Sequence, residues 1–323
     1  MNHVPVTFLL DVGDEDIASW RNLCPDREAG RLVLGEHYWI AATHARLRDA
    51  GAHVRLENRV PDEGIAVFYA GDKRRAWEAA RRGSRALMVA VRSDRNPVGF
   101  ADVEVVQNAT SARGPRTVHI AHWPQPGLVP RDASRGPAVR TILFPGTPQN
   151  LHPDFSAPAW REAMRARGID FRCSGGDAVQ AWQDCSDVDL MLAIRPGGEI
   201  RNKPAWKLFN AWLAGTPAIL GPEWAYRELR RGDLDYIEAL DGATALAAVD
   251  RLRESPGLYA AMVANGLERG REHCNEAVAG AWRSLIDDVL VPAQGRLAQR
   301  PVTVTRRRLR EVVARIGRMR GAR

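Results

Sequence analysis

Long hydrophobic runs are absent from this chain of 323 residues. No uninterrupted apolar stretch approaches the roughly 18 residues of a membrane-spanning helix, so none is predicted. The opening stretch MNHVPVTFLLDVGDED has no basic segment before its short apolar run, and acidic residues follow the run at once. We therefore expect a first strand here instead of a secretory signal, and a cytoplasmic protein.

Cysteine is scarce, and its spacing is unlike that of a metal site or a disulfide framework. The four cysteines are widely scattered, without a CxxC pair, which excludes a zinc ribbon or a disulfide-stapled fold. The eight histidines are dispersed as well. No metal site is predicted, and we expect no cofactor.

Acidic residues are almost missing from the end of the chain. Residues 296–323 hold ten arginines and a single acid, which gives this tail a charge of +9. The formal net charge of the chain is +7, so the rest of the chain carries about −2. Apolar residues recur there at helical spacing, namely Leu309, Val312, Val313, Ile316 and Met319. The pattern predicts a basic amphipathic helix that fits an anionic membrane surface; a solvated tail and a helix folded back over the first domain are the alternatives. Nucleic-acid binding is disfavoured, because no aromatic platform or recognition motif accompanies the charge.

What the chain does have is an alternation of short, continuous apolar runs with helical patterns. In the first half the runs are VTFLLDV, GIAVFYA, RALMVAVRSD, ADVEVVQNA and RTVHIAHW, and the helical patterns are GEHYWIAATHARLRDAG and GDKRRAWEAARRG. Continuous apolar runs favour strands that are covered on both faces, as in a mainly parallel sheet. This order predicts an α/β domain.

A second α/β series follows a segment rich in proline and glycine, WPQPGLVPRDASRGPAVR. Strands are predicted at RTILFPG, IDFRCS, DVDLMLAIRP and AIL, and helices at APAWREAMRARG and AVQAWQDCS. We predict a first domain at residues 1–124, a linker at 125–138, a second domain at 139–295 and the basic tail at 296–323.

The stretch RNKPAWKLFNAWLAGTPAILGPEWAYREL has the order of parts expected of an anion site. It follows the predicted strand DLMLAI, and open α/β sheets bind ligands beyond the carboxyl ends of their strands. We expect Asn202 or Lys203 to cap a helix that has Pro204 in its first turn. The free amide groups and the dipole of that helix start favour phosphate, and Lys207, one turn after Lys203, adds positive charge.

Other polar residues are predicted to surround this anion site. Arg195, at the strand end, can neutralise a diphosphate leaving group. Gly146, in FPGTPQN, allows the backbone to approach a ligand closely. Glu223 and Glu228 can accept hydrogen bonds from ribose hydroxyls. Taken singly, each feature also has an ordinary structural explanation, such as a solvated helix face or a plain turn.

Polar residues also follow the predicted strands of the first domain. Asp11, Asp94 and His122 stand at strand ends, and they are the candidates for the general base that an inverting transfer to a hydroxyl requires. A structural histidine and ordinary turn chemistry are the alternatives. The sequence does not rank the three.

The anion-site stretch resembles the carboxy-terminal domain of GT-B glycosyltransferases, in particular bacterial members similar to glycosyltransferase families 1 and 4. The matching piece, NKPAWKLFNAWLAGTPAILGPEWAYREL, has a lysine-rich helix start, a helix ending in Ala-Gly-x-Pro, a short strand and a further helix with a glutamate. WQDCSDVDLMLAIRP is similar to the segment that precedes the donor loop in such enzymes. The resemblance implies two Rossmann-like domains facing across a cleft.

The chain departs from this family at one pattern. Many retaining members carry two glutamates separated by seven residues, whereas the corresponding positions here hold Asn202 and Asn210. Asparagine accepts a hydrogen bond from a hydroxyl but carries no charge, so the choice between retention and inversion stays open. Glu223 or Glu228 is then expected to take the ribose contact.

The resemblance implies transfer of a sugar from a nucleotide sugar to a hydroxyl acceptor, such as a lipid-linked glycan, in cell-surface polysaccharide or glycolipid synthesis. The implied donor-binding residues are Arg195, Asn202, Lys203, Lys207, Asn210, Glu223, Glu228 and Gly146. The alternatives are a sugar-nucleotide epimerase of the same fold and a non-catalytic membrane or nucleic-acid adaptor that acts through the arginine-rich tail.

Overall fold

The computed structural model describes residues 4–174, 183–197, 200–299 and 304–321. The chain forms two compact units, one made of Met1–His122 with Val278–Arg323 and the other of Trp123–Ala277. Among the residues described, no helix combines the length and apolarity that crossing a bilayer requires.

The first unit is built on a six-stranded parallel sheet in the order β2-β1-β3-β4-β5-β6. Its strands are β1 (Val6–Leu9), β2 (Val54–Glu57), β3 (Ile65–Tyr69), β4 (Leu87–Val91), β5 (Val103–Val106) and β6 (Thr117–His119). Every residue of β3 and β4 is buried, as expected for parallel strands shielded on both faces. The predicted α/β character of the first half is confirmed.

The helices of the first unit come from both ends of the chain. The amino-terminal ones are α1 (Ile17–Arg21), a π-helical segment (His37–Ala42) that leads into α2 (Thr43–Asp49), and α3 (Arg74–Arg82). The carboxy-terminal ones are α9 (Asn275–Ser284), a π-helical segment (Leu285–Leu290), α10 (Val291–Gln299) and α11 (Val304–Gly321). The boundary between the units falls within α9.

The second unit holds a five-stranded parallel sheet in the order β11-β10-β9-β7-β8. Its strands are β7 (Thr141–Phe144), β8 (Asp170–Cys173), β9 (Leu190–Ala193), β10 (Ala218–Leu220) and β11 (Ile237–Glu238). Its helices are α4 (Pro158–Ala166), α5 (Trp206–Ala214), α6 (Trp224–Leu229), α7 (Gly242–Glu254) and α8 (Pro256–Gly270). The helix predicted at AVQAWQDCS lies mostly outside the described residues.

The segment predicted as a linker, residues 125–138, is bonded to the second unit. Asp189 is fully buried, and its carboxylate accepts hydrogen bonds from the guanidinium groups of Arg131 at 2.8 Å and Arg135 at 2.9 Å. A buried carboxylate needs such partners, because an unpaired charge in the interior is costly. Arg131 and Arg135 therefore fix this part of the segment to the second unit.

The carboxy-terminal helices return to the first unit, so that the second unit ends at Ala277 and not at the predicted residue 295. Trp282 is fully buried, and its ring meets that of Phe8 in β1 edge-on at 5.8 Å. Leu285 and Leu290 are buried as well. These apolar side chains need a core, and the sheet of the first unit provides it.

The arginine-rich tail folds back on the first unit through helix α11. Arg307 is only 2% exposed, and its guanidinium donates to the carbonyls of Ser84 at 2.9 Å and Ala86 at 3.0 Å and to the carboxylate of Asp102 at 2.9 Å. Arg310 donates to the other oxygen of Asp102 at 2.8 Å. The structure therefore agrees with one of the alternatives for the tail, a helix that folds back over the first domain.

Glycine is required where α11 touches the first unit. A Cβ atom added to Gly99 would lie 2.4 Å from the carbonyl oxygen of Arg310 and 2.8 Å from the Cβ of Ala314. Backbone therefore packs directly against backbone, which only a residue without a side chain allows.

We expect Arg307→Gln to lower the free energy of unfolding by about 2–4 kcal/mol, because it leaves a largely buried carboxylate and two backbone carbonyls short of donors. Urea unfolding followed by circular dichroism measures the change. Arg308→Gln, one residue on and exposed, is the matched control and should stay within about 0.5 kcal/mol. Equal effects of the two substitutions would contradict the buried clamp.

Candidate functional site

Four of the predicted donor residues lie together at one edge of the second sheet. Gly146 follows β7, Arg195 follows β9 and Glu223 follows β10, and these three strands are neighbours that run in the same direction. Lys207 reaches the same place from the first turn of α5. The carboxyl edge of a parallel sheet is where open α/β folds bind ligands.

Lys207 is a buried cation. Its side chain is 5% exposed, its Nζ lies 4.2 Å from the centre of the Phe144 ring, and that nitrogen has no hydrogen-bond partner among the described residues. Burial is the main cause that lowers the pKa of Lys207 to about 7, and the positive charge of Arg195 contributes to the decrease. The negative charge of Glu223 acts in the opposite direction and raises it. An anion bound beside Lys207 would restore its charged form.

Glu223 is a buried carboxylate next to Arg195. It is 1% exposed, and the Arg195 Nε lies 3.5 Å from its Oε1. Burial raises the pKa of Glu223, while Arg195 and Lys207 act to lower it. The residue occupies the N-cap position of α6, but its side chain does not cap the helix.

Several unsatisfied polar atoms belong to the residues of this site. Lys207 Nζ, both carboxylate oxygens of Glu223, Arg195 Nε and the hydroxyl of Tyr226 are buried without a hydrogen-bond partner in the described part of the chain. Each such group costs about 1–3 kcal/mol, so a cluster of them is rare unless a ligand completes it. Tyr226 was missed at the sequence level, although it lies three residues after Glu223 in the same motif.

Gly146 keeps the space beside Lys207 open. A Cβ atom at Gly146 would lie 2.9 Å from Cε1 of Phe144 and 3.1 Å from Nζ of Lys207. The half-buried thiol of Cys173 donates to the carbonyl of Gly146 at 3.2 Å. Close approach of a ligand to the Gly146 backbone stays a prediction.

The predicted cap of helix α5 was wrong. The N-cap residue is Ala205, whose carbonyl accepts from the amide of Leu208 at 2.9 Å, and no side chain caps the helix. Pro204 therefore precedes the helix instead of standing in its first turn. Asn202 and Lys203 lie in the preceding turn, so Lys203 and Lys207 do not share a helical face.

Two more of the predicted donor residues are Asn210 and Glu228. The carboxamide oxygen of Asn210 accepts a hydrogen bond from the backbone amide of Gln125 at 2.9 Å, in buried surroundings. Asn210 thus holds the chain at the start of the second unit. Glu228 is half-buried in α6, five residues beyond Glu223.

In the first unit, Asp11 meets a carboxyl group that sequence reasoning missed. Asp11 follows β1 and Asp72 follows the neighbouring β3, and the two side chains share a hydrogen bond. Burial, this hydrogen bond and the charges of Asp11 and Glu36 raise the pKa of Asp72 to about 7, while Arg75, which also pairs with Asp11, acts to lower it. The available signal was the position of Asp72, which follows the apolar run GIAVFYA after a single residue, Gly71.

The other two candidates for a base lie in different surroundings. The carboxylate of Asp94 is 3.8 Å from Nε of Arg95. His122 packs against aromatic rings, with its centroid 4.8 Å from that of Trp39 and 5.8 Å from that of Tyr38. In the described ranges, no group of three or more His, Cys, Asp or Glu side chains is arranged to hold a metal ion.

Comparison with known proteins gives a result at the level of the fold. No family model matches the sequence, and no curated protein matches it. The crystal structure of Anabaena HepE in complex with UDP superposes with a TM-score of 0.51 over 88% of this chain and 100% of that chain, at 10% identity. HepE with UDP and glucose gives 0.51 over 89% and 100%, at 11% identity. TarM gives 0.54 over 77% and 59%, at 7% identity. These neighbours have the GT-B fold, and this confirms the predicted fold class of two Rossmann-like domains.

We expect Lys207→Met to stabilise the ligand-free protein below pH 7. The folded pKa of Lys207, about 7, lies below the ordinary 10.5, so burying the charged form costs stability that is recovered as the pH rises from 7 to 10.5. The variant should gain about 2–4 kcal/mol over the wild type at pH 6, and the gain should shrink towards pH 10.

Urea unfolding at pH 6, 8 and 10 measures this difference. Lys73→Met is the matched control, because the Lys73 side chain is 37% exposed, and its difference from the wild type should not depend on pH. A Lys207→Met variant that is less stable at every pH would mean that Lys207 is a paired, stabilising cation.

Proposed function

We propose that this protein is a GT-B glycosyltransferase that moves a sugar from a nucleotide sugar to a hydroxyl acceptor. The observation that carries the proposal is the cluster of buried polar atoms without partners on Arg195, Lys207, Glu223 and Tyr226, at the carboxyl edge of a parallel sheet. Fold neighbours support it, since HepE was crystallised in complex with UDP and with UDP and glucose.

The donor's chemistry matches the cluster. The guanidinium of Arg195 and the ammonium of Lys207 face the diphosphate and stabilise the negative charge that develops as the nucleoside diphosphate leaves. The Glu223 carboxylate accepts hydrogen bonds from hydroxyls of the ribose or the sugar. Lys203, in the turn before α5, adds charge near the same edge. Because these side chains neutralise the diphosphate, no metal is needed.

The first unit supplies the acceptor site and the base in this proposal. The hydrogen-bonded pair of Asp11 and Asp72 takes the proton from the acceptor hydroxyl, and its raised pKa suits a base that works near neutral pH. The acceptor oxygen then forms a bond to the anomeric carbon, and the bond from that carbon to the diphosphate breaks. The products are the glycosylated acceptor and a nucleoside diphosphate.

The proposed acceptor is a lipid-linked glycan of cell-surface polysaccharide or glycolipid synthesis, used at the cytoplasmic side of the membrane. What supports this assignment is the strongly basic carboxy-terminal region, which favours anionic lipid surfaces over neutral ones.

Calorimetry with UDP, GDP, ADP, CMP and dTDP tests the donor site. We expect a nucleoside diphosphate, UDP first, to bind the wild type, and Arg195→Gln and Lys207→Met each to weaken binding by roughly 10- to 100-fold, the value of one or two charge-assisted hydrogen bonds. Arg251→Gln, an exposed arginine of the same unit, is the control and should bind normally. Failure of every nucleotide to bind would overturn the proposal.

Rates of transfer from a radiolabelled nucleotide sugar test the base. Asp72→Asn should lower kcat by about 10²- to 10⁴-fold with little change in donor affinity, because a general base contributes that much. Wild-type activity should rise with pH through about 7, as Asp72 loses its proton. Asp94→Asn and His122→Gln should stay within a few-fold of the wild type. Release of the epimeric sugar without transfer to an acceptor would mean that the protein is a sugar-nucleotide epimerase.

A further inference from the structure

Helix α11 packs with its faces reversed relative to an ordinary amphipathic helix. Its inward side carries Arg307 and Arg310, which bind Asp102. A surface helix normally turns its apolar stripe to the core. Here the ion pairs and the close contact at Gly99 fix the opposite orientation.

The apolar stripe of α11 therefore faces outward. Leu309 is 62% exposed, Val312 53%, Val313 61% and Ile316 45%. These residues follow the i, i+3, i+4, i+7 spacing, so they form one continuous strip on the helix. We call these four residues the outer strip. Four exposed large apolar side chains in a row are unusual on a free surface and indicate an interaction site.

A basic groove borders the outer strip, between α3 and α11. The groove has a volume of about 730 Å³ and an apolar floor that includes Trp77 and Phe100. Five cationic side chains line it, namely Lys73, Arg74, Arg81, Arg308 and Arg315. The acids on its lining are Asp72 and Glu311, so positive charge prevails along the edge of the strip.

We propose that the outer strip and the basic groove together form a docking surface for an anionic phospholipid bilayer. The strip enters the boundary between headgroups and acyl chains, and the groove's cations contact lipid phosphates. An amphipathic helix with cations beside its apolar face binds in this way, because burial of apolar area and attraction to anionic lipid act together.

Charge complementarity favours a bilayer as the occupant. Phosphates in an anionic leaflet form a plane, and cations on two helices, α3 and α11, can contact such a plane at the same time as the strip enters it. The surface does not depend on the donor site, so nucleotide binding measured on the same samples separates failure of this inference from failure of the proposed function.

Co-sedimentation of the full chain with vesicles tests the docking surface. Vesicles of phosphatidylcholine with phosphatidylglycerol should bind the protein, and vesicles of phosphatidylcholine alone should not. Arg308→Gln/Arg315→Gln should weaken binding by roughly 30-fold, as expected for two cations near an anionic bilayer. Leu309→Gln/Val313→Gln should weaken it at least about 10-fold.

The matched control is Arg161→Gln/Arg251→Gln, which removes the same charge from exposed positions of the second unit and should leave vesicle binding unchanged. Circular dichroism and UDP binding check that each variant is folded. No binding of the wild type, equal loss in the control, or normal binding of the Leu309→Gln/Val313→Gln variant would each overturn the inference. The last result would mean that the cations alone bind the vesicles and that the outer strip does not enter the bilayer.

Discussion

The second unit depends on one arrangement, which is a set of ionisable side chains buried at the carboxyl edge of a parallel sheet. Lys207 and Glu223 are both almost fully buried, and the polar atoms of both side chains lack hydrogen-bond partners in the described residues. Such groups weaken a fold unless something else satisfies them. The neighbouring strands β7, β9 and β10 are wholly buried, so the surrounding core keeps these polar atoms in position for a ligand.

Buried charge has the opposite role in the first unit. The Asp102 side chain is only 9% exposed, but it accepts hydrogen bonds from Arg307, Arg310 and the backbone amide of Met88. Asp189 in the second unit is also fully paired. Its carboxylate accepts hydrogen bonds from two arginines and two backbone amides. The complete pairing of Asp102 and Asp189 indicates a structural role. Glu223 lacks hydrogen-bond donors for its carboxylate in the described residues, which indicates that a ligand supplies them.

Much of the fold and part of the site could be predicted from the sequence, because local patterns determine them. Continuous apolar runs predicted the strands. The positions of polar residues and a glycine after strand ends, or at the following helix, predicted Gly146, Arg195, Lys207 and Glu223. Three features were missed. The position of Asp72 after an apolar run was a signal, but its contact with Asp11 leaves none. The N-cap of α5 is Ala205. The apolar strip of α11 faces outward because Arg307 binds Asp102, about two hundred residues earlier. Contacts between distant residues leave no periodic signal.

The first unit is assembled from two separate parts of the chain, and this has a consequence for protein synthesis. Its sheet is complete once residue 122 has left the ribosome, yet Trp282 and Arg307 emerge only after the whole second unit. Until then Phe8 lacks its aromatic neighbour, and Asp102 lacks both of its arginines. Nascent chains fold from the amino terminus as they appear. We therefore expect the second unit to reach its native state first, and a chain truncated within the last helices to be a target for chaperones and proteases.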